Sequence, residues 1–189
     1  IPTREAMLYM QVARRLPVTL VRGEGTRVWD SDGKEYLDFV AGISTNAFGH
    51  ADPGLVSAIS EQAGKLIHCS NIFYSEPQIE LAQLLIDHSP LDRVFFANSG
   101  AEANEPALKL ARKWGRLHKD GAYEVIVTHN AFHGRTMATV AATGTPSYRE
   151  PFEPLVPGFI HVDFDDIEAI QAATTEQTAA VMLEPIQAE

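Results

Sequence analysis

Apolar residues change their spacing along the chain, and the change separates two kinds of structure. Between residues 18 and 40, short β-prone runs (VTLVR, TRVWD and EYLDF) are divided by Gly23-Glu24-Gly25 and by Ser31-Asp32-Gly33-Lys34. Glycine accepts the positive φ that tight turns ask for, so Asp32-Gly33 predicts a hairpin and the region as a whole a small meander. The next stretch, AGISTNAFGHADP, has no period. Its Gly, Ser, Thr and Asn content predicts an ordered loop that packs against a larger body or faces a ligand. Pro53 then opens a predicted helix with Leu55, Ile59, Ala63, Leu66 and Ile67 at helical spacing. A second helix is marked by Ser75 as N-cap, Gln78 completing a capping box, Pro77 in the first turn, and an apolar face of Ile79, Ala82, Leu85 and Ile86.

From residue 90 strands and helices alternate. VFFA at 94–97 predicts a strand, and it runs into Asn98-Ser99-Gly100 and a helix whose apolar side is Ala107, Leu108, Ala111, Trp114 and Leu117. EVIVT at 124–128, FIHVDF at 159–164 and AAVMLE at 179–184 predict further strands; residues 136–142 and 167–173 predict short helices. Strands this apolar belong to a sheet covered on both faces, and the alternation makes this part α/β. The segment TGTPSYREPFEPLVPG carries four prolines and no helical period, so it is predicted to cross the surface as a long loop that frames a site. The expected division is residues 1–60 and residues 61–189.

Charge narrows the function. Asp and Glu number 25 against 15 Lys and Arg, a formal net charge of -10, so there is no broad positive field for a nucleic-acid backbone or an anionic membrane. The single cysteine, Cys69, excludes an intrachain disulfide framework and fits a reducing compartment, with the cytoplasm as the expected location. The opening residues, IPTREAMLYMQVARRL, never build the unbroken apolar run of a signal peptide or membrane span.

Three clusters carry chemistry. Ser99, Gly100 and Ala101 are small residues at a predicted helix N-terminus, where free backbone N–H groups and a hydroxyl suit a phosphate; tight packing explains the same residues equally well. The turn lacks the Walker lysine and the GxGxxG spacing, which demotes nucleotide binding. His129-Asn130-Ala131-Phe132-His133-Gly134-Arg135 follows the strand EVIVT at the same carboxyl edge, where an aromatic ring and an arginine can meet a planar ring and a carboxylate. Against that stands a core role for Phe132 and a structural ion pair for Arg135. Glu184 and Glu189 flank a loop after the last strand, again on that edge. No metal site is expected, since the histidines are scattered and His129 and His133 lie in a loop without the glutamate of a zinc helix.

The strings GISTNAFGHADP, SNIFYSEP, NSGAEANEPALKLARKW, HNAFHGRT and LEPIQAE, in this order, closely resemble the fold-type I, class III pyridoxal-phosphate aminotransferases. The resemblance spans essentially the whole chain. It implies an α/β fold-type I architecture: an incomplete large-domain sheet, preceded by the N-terminal part of a small α+β domain. The cofactor it implies is pyridoxal 5'-phosphate, with Ser99, Gly100 and Ala101 in the phosphate cup, Phe132 stacked on the pyridine ring and Glu184 organising the pocket. It gives substrate roles to Arg135 at the α-carboxylate, to Tyr74 and Asn71 near the distal portion, and to Glu189 as a gate for a later arginine.

The reaction so implied moves the distal amine of N-acetylornithine to 2-oxoglutarate. Ornithine, succinylornithine or 4-aminobutyrate as donor stays open, as does an inactive homologue of the same fold. Partners are a small amino donor and 2-oxoglutarate, within a homodimer of the full-length protein, with no nucleic acid and no membrane. The catalytic Schiff-base lysine and the aspartate for the pyridine nitrogen are expected beyond Glu189, so a polypeptide ending there is expected to be inactive in transamination. Two residues depart from the family pattern. Ala188 stands where QGE is usual and narrows the backbone angles; Pro106 replaces an alanine and is expected to kink its helix if it lies beyond the first turn.

Overall fold

The computed structural model describes residues 2–188. The chain divides into two compact units, Ile1–Ile79 and Glu80–Glu189.

In the first unit, helix α1 (Pro2–Leu8) precedes strands β1 (Leu20–Glu24), β2 (Arg27–Asp30) and β3 (Glu35–Leu37). The three strands pair antiparallel in chain order, as a meander should. The β2–β3 hairpin is closed by Asp30, whose carboxylate accepts from the Asp32 N–H at 3.0 Å, the Lys34 N–H at 2.9 Å and the Tyr36 hydroxyl at 2.7 Å. The Tyr36 hydrogen bond, with help from the backbone donors, holds the Asp30 pKa below its ordinary value. Gly33 supplies the left-handed turn residue at φ 82.

The glycine-rich stretch packs back on this meander. Gly25 and His50 exchange both backbone hydrogen bonds at 2.8 Å, and His50 Nε2 lies 2.7 Å from the Asp38 carboxylate. Within the stretch, α2 (Ala41–Ser44) is a tight turn with left-handed backbone at Gly42 and Ile43. Helix α3 (Pro53–Lys65) starts on the predicted proline and is capped by Asp52, which accepts from the Leu55 N–H at 2.8 Å. Helix α4 (Glu76–Asp87) begins after Ser75, whose carbonyl accepts from the Ile79 N–H at 3.3 Å.

The second unit is built on three parallel strands, β4 (Glu124–Thr128), β5 (Phe159–Val162) and β6 (Thr178–Val181), ordered β5-β4-β6. Helix α5 (Gly100–His118) precedes β4; α6 (Met137–Ala142) and α7 (Pro146–Arg149) lie between β4 and β5, and α8 (Ile167–Ala173) between β5 and β6. Central β4 reads as a continuous apolar run because both its faces are covered: Val125, Ile126 and Val127 are fully buried. Val125 and Val127 share one face and join Leu108 of α5 and Ala142 of α6 in the core, flanked by Ala138, Phe159, Ala180 and Met182.

Three expectations are corrected. VFFA at 94–97 forms no strand, and Phe95 is exposed. Apolarity alone does not name a partner: β5 and β6 each keep an outer edge open in the β5-β4-β6 sheet, yet residues 94–97 pair with neither. The buried side of α5 is rotated from the predicted one: Leu108 and Gly115 are buried, whereas Trp114 and Leu117 are exposed. Gly115 faces inward because the chain returns against it. A Cβ there would lie 2.0 Å from the Ala122 carbonyl oxygen.

The third correction concerns the proline-rich segment, which is not wholly irregular. It holds α7 and a 3-10 turn at Glu150–Phe152, each with a proline in its first turn, where a fixed φ favours helix. Pro106 sits inside α5, which runs through it from Gly100 to His118.

Candidate functional site

The carboxyl ends of β4 and β6 and the N-terminus of α5 meet in the second unit. Ser99 is the N-cap of α5, with extended backbone, and its hydroxyl oxygen accepts from the Glu102 N–H at 3.2 Å. The Glu102 carboxylate turns back to accept from the Asn98 N–H and from its side-chain amide, both at 2.8 Å. These bonds fix the first turn and leave the hydroxyl hydrogen of Ser99 to donate. Helix geometry gives the N–H groups of Gly100 and Ala101 no intrahelical acceptor. A Cβ on Gly100 would meet nothing within 4 Å, so this turn is open to a ligand.

The loop after β4 is folded onto that helix start. Asn130 adopts a left-handed φ of 61, which turns the chain sharply at the strand end. Gly134, at φ 133, lies so close that a Cβ would fall 2.8 Å from the Ala101 Cβ and 2.6 Å from the Thr139 Oγ1. Asn104 of α5 donates from its side chain to the His133 carbonyl at 2.8 Å, and the Thr136 hydroxyl donates to the Glu105 carboxylate. The His133 N–H donates to the Thr143 hydroxyl at 3.1 Å, and the Gly144 N–H to the Ala131 carbonyl at 2.7 Å. Six polar or close-packed links thus hold residues 131–136 in one shape.

That shape leaves Phe132 partly exposed between buried Ala131 and His133. The Phe132 N–H donates to the Glu184 carboxylate at 2.9 Å, which joins the β4 loop to the end of β6. Gln187 makes a second link, donating to the Thr128 hydroxyl at 3.0 Å and to the His129 carbonyl at 2.9 Å. The Arg135 guanidinium carbon lies 5.4 Å from the Phe132 ring centroid and 4.3 Å from that of Tyr148. Burial depresses the His133 pKa, opposed by the nearby Glu184 carboxylate, so the imidazole is neutral near pH 7. Burial first, and then the Arg149 charge, lower the His161 pKa to about 4. His161 stacks at 5.9 Å on His129, the first residue past β4.

The structure therefore brings together Ser99, Gly100, Ala101, Phe132, Arg135 and Glu184. Asn71 and Tyr74 belong to the first unit, in the exposed stretch between α3 and α4. Glu189 lies outside the described residues. Asn104, Thr143, Gly144 and Gln187 carry no ligand signal in the sequence but hold the loops that bear Phe132 and Arg135. Gly144 is the plainest case, because a Cβ there would meet the Thr128 carbonyl oxygen at 2.3 Å and the Asn130 nitrogen at 2.4 Å.

A phosphorylated planar ring fits this donor set. N–H groups and a hydroxyl at an open helix N-terminus match a phosphate, and Phe132 offers an aromatic surface beside it. Among the described residues no helix is long and apolar enough to cross a membrane.

Residues 9–189 match the family model described as aminotransferase class-III. Acetylornithine aminotransferase of Methanocaldococcus jannaschii is 54% identical over 187 residues, which cover 98% of this chain and 47% of that protein. The ornithine aminotransferase structure from Toxoplasma gondii superposes with a TM-score of 0.91 at 34% identity, covering 98% of this chain and 45% of that one. The N-acetylornithine aminotransferase structure from Stenotrophomonas maltophilia gives 0.76 at 40% identity, covering 99% and 45%. The chain thus spans about half the length of the relatives it matches. A family match over nearly its whole length, with the helix start, aromatic loop and strand-end carboxylate gathered at one sheet edge, means that the chain belongs to the class-III aminotransferases, a pyridoxal-phosphate family.

Proposed function

We propose that the full-length protein containing this chain is a pyridoxal-phosphate aminotransferase that moves the distal amine of N-acetylornithine to 2-oxoglutarate, giving N-acetylglutamate 5-semialdehyde and glutamate. In this reading it serves arginine biosynthesis as a cytoplasmic homodimer. The observation that carries the reading is the contact of Gly134 with Ala101, which sets the Phe132 loop against the open N-terminus of α5. The choice of donor draws support from the M. jannaschii relative; the T. gondii structure favours ornithine as the second reading.

In the proposed site the Gly100 and Ala101 N–H groups and the Ser99 hydroxyl hold the cofactor phosphate through the dipole of a 19-residue helix. Phe132 covers one face of the planar ring, and Glu184 keeps Phe132 in place through its backbone N–H. When bound, pyridoxal phosphate supplies an electron-withdrawing ring that spreads the charge left when a proton departs from the amine-bearing carbon. Arg135 grips the substrate carboxylate through its in-plane donors. Asn71 and Tyr74 are assigned to the distal part of the substrate, and Glu189 to gating the second carboxylate.

The test uses the full-length protein. Borohydride reduction with the cofactor followed by peptide mapping is expected to give one modified lysine. Specificity constants for N-acetylornithine, ornithine, succinylornithine and 4-aminobutyrate with 2-oxoglutarate then rank the donors. Absence of any specific adduct overturns the aminotransferase reading; a higher kcat/KM for ornithine overturns only the donor.

A further inference from the structure

We infer that Tyr148, in the proline-rich segment between α6 and β5, is a positioning residue that sets the orientation of Arg135 for the substrate carboxylate. The inference rests on the carboxylate role proposed for Arg135. An exposed arginine has several rotatable bonds, and holding its guanidinium in one plane costs side-chain entropy. Here the guanidinium carbon lies 4.3 Å from the Tyr148 ring centroid, nearer than the 5.4 Å to Phe132. Stacking occupies the face of the guanidinium and leaves its edge donors free, which is the geometry a bidentate carboxylate needs.

Tyr148 is itself held. It lies in α7, where its N–H donates to the Thr145 carbonyl at 3.1 Å and Pro146 fixes the first turn. The next residue, Arg149, reaches back to β5, its Nη1 2.8 Å from the His161 Nε2. Nδ1 lies 3.1 Å from the same Nη1, and whichever ring nitrogen of the neutral imidazole lacks the proton accepts from it; His161 in turn stacks on His129 at the end of β4. The sheet edge that carries the Phe132 loop thus also anchors, through Arg149, the ring that faces Arg135. Among the described residues no hydrogen bond uses the Tyr148 hydroxyl, so phenylalanine is expected to serve in its place.

The test compares Tyr148→Leu and Tyr148→Met, which keep apolar bulk without an aromatic face, with Tyr148→Phe and Arg135→Ala in the full-length holoenzyme. Either aliphatic variant suffices if the other fails to accumulate. Two readouts are used. One is the Kd of glutarate, a dicarboxylate that cannot accept an amine, by calorimetry. The other is kcat/KM for N-acetylornithine and for N-acetyl-1,4-diaminobutane, the same amine without its carboxylate.

The aliphatic variants are expected to weaken glutarate roughly 3- to 10-fold, the range of a partly exposed cation–π contact. They are expected to raise KM for N-acetylornithine, to spare the donor without a carboxylate, and to be restored by Tyr148→Phe. If Arg135→Ala weakens glutarate and the aliphatic variants do not, the Tyr148 inference fails alone. Equal losses for both donors also overturn it, since they mark a structural role. If Arg135→Ala leaves glutarate binding unchanged, the carboxylate role of Arg135 fails, and the inference with it.

Discussion

The backbone N–H of Phe132 donates to the side chain of Glu184 across 2.9 Å, although the two residues are 52 positions apart in the chain. One carboxylate thereby ties the ring-bearing loop after β4 to the end of β6. Hydrogen bonds to an ionised acceptor are stronger than neutral ones, and without this acceptor the exposed N–H turns to water and the loop loses its tie.

Glu184→Ala is therefore expected to lower stability by about 0.5–1.5 kcal/mol and to weaken the cofactor, because Phe132 loses its fixed position. Glu184→Gln keeps an acceptor oxygen and is expected to lose less. Urea unfolding and a fluorescence titration of pyridoxal phosphate into the full-length apoprotein measure the two effects. Cofactor affinity unchanged in the alanine variant removes Glu184 from the pocket.

Two glycines in helices are expected to respond to alanine in opposite senses. At Gly115 the new Cβ would stand 2.0 Å from the Ala122 carbonyl oxygen, a backbone atom that moves only if the α5–β4 connection moves. A cost of roughly 1–3 kcal/mol or more follows from forced overpacking. At Gly64 in α3 a Cβ meets nothing within 4 Å, so alanine is expected to stabilise by about 0.5–1 kcal/mol through helix propensity. Urea midpoints of the two variants, measured side by side, decide; a milder effect at Gly115 than at Gly64 contradicts the packing argument.

Pro106 offers a third test. It lies well past the first turn of α5, where it provides no N–H for the Glu102 carbonyl. Pro106→Ala is expected to raise stability by roughly 1–3 kcal/mol, up to the intrinsic helix penalty of proline. A drop in stability would show that the ring packs more favourably than the missing hydrogen bond costs.

The elements most legible in the sequence were those fixed by local rules. Asp32-Gly33 gave the β2–β3 turn, Pro53 the start of α3, and the run EVIVT the central strand. Each depends on φ preferences or on an unbroken apolar run. VFFA is misleading because pairing is a long-range property: the same apolar run serves as strand or as unpaired segment according to whether the fold lays it beside another strand. The buried side of α5 misled because its packing is decided by a glycine, Gly115, which hydrophobic periodicity does not count. At the candidate site, Ser99, Phe132 and Glu184 stood out by residue type, whereas Asn104, Thr143 and Gln187 did not. Their roles lie in hydrogen bonds across 10 to 59 positions of sequence, which only the folded chain brings into reach.

Acid should loosen the proline-rich segment before the rest of the second unit. The His161 pKa is lowered from 6.5 to about 4, by burial first and by the Arg149 charge second. A group whose folded pKa is depressed binds its proton sooner in the unfolded chain, so the folded state loses stability as pH falls from about 6.5 to about 4 and gains no further loss from this group below that. His133, lowered mainly by its burial despite Glu184, adds in the same direction. Protonating His161 also removes the acceptor for Arg149, which frees α7 and with it Tyr148. Urea midpoints of the full-length protein between pH 7 and pH 4 are expected to fall, and His161→Gln, which keeps an acceptor but no titrating ring, is expected to flatten that slope while His133 preserves part of it. An unchanged slope in His161→Gln would place the acid sensitivity elsewhere.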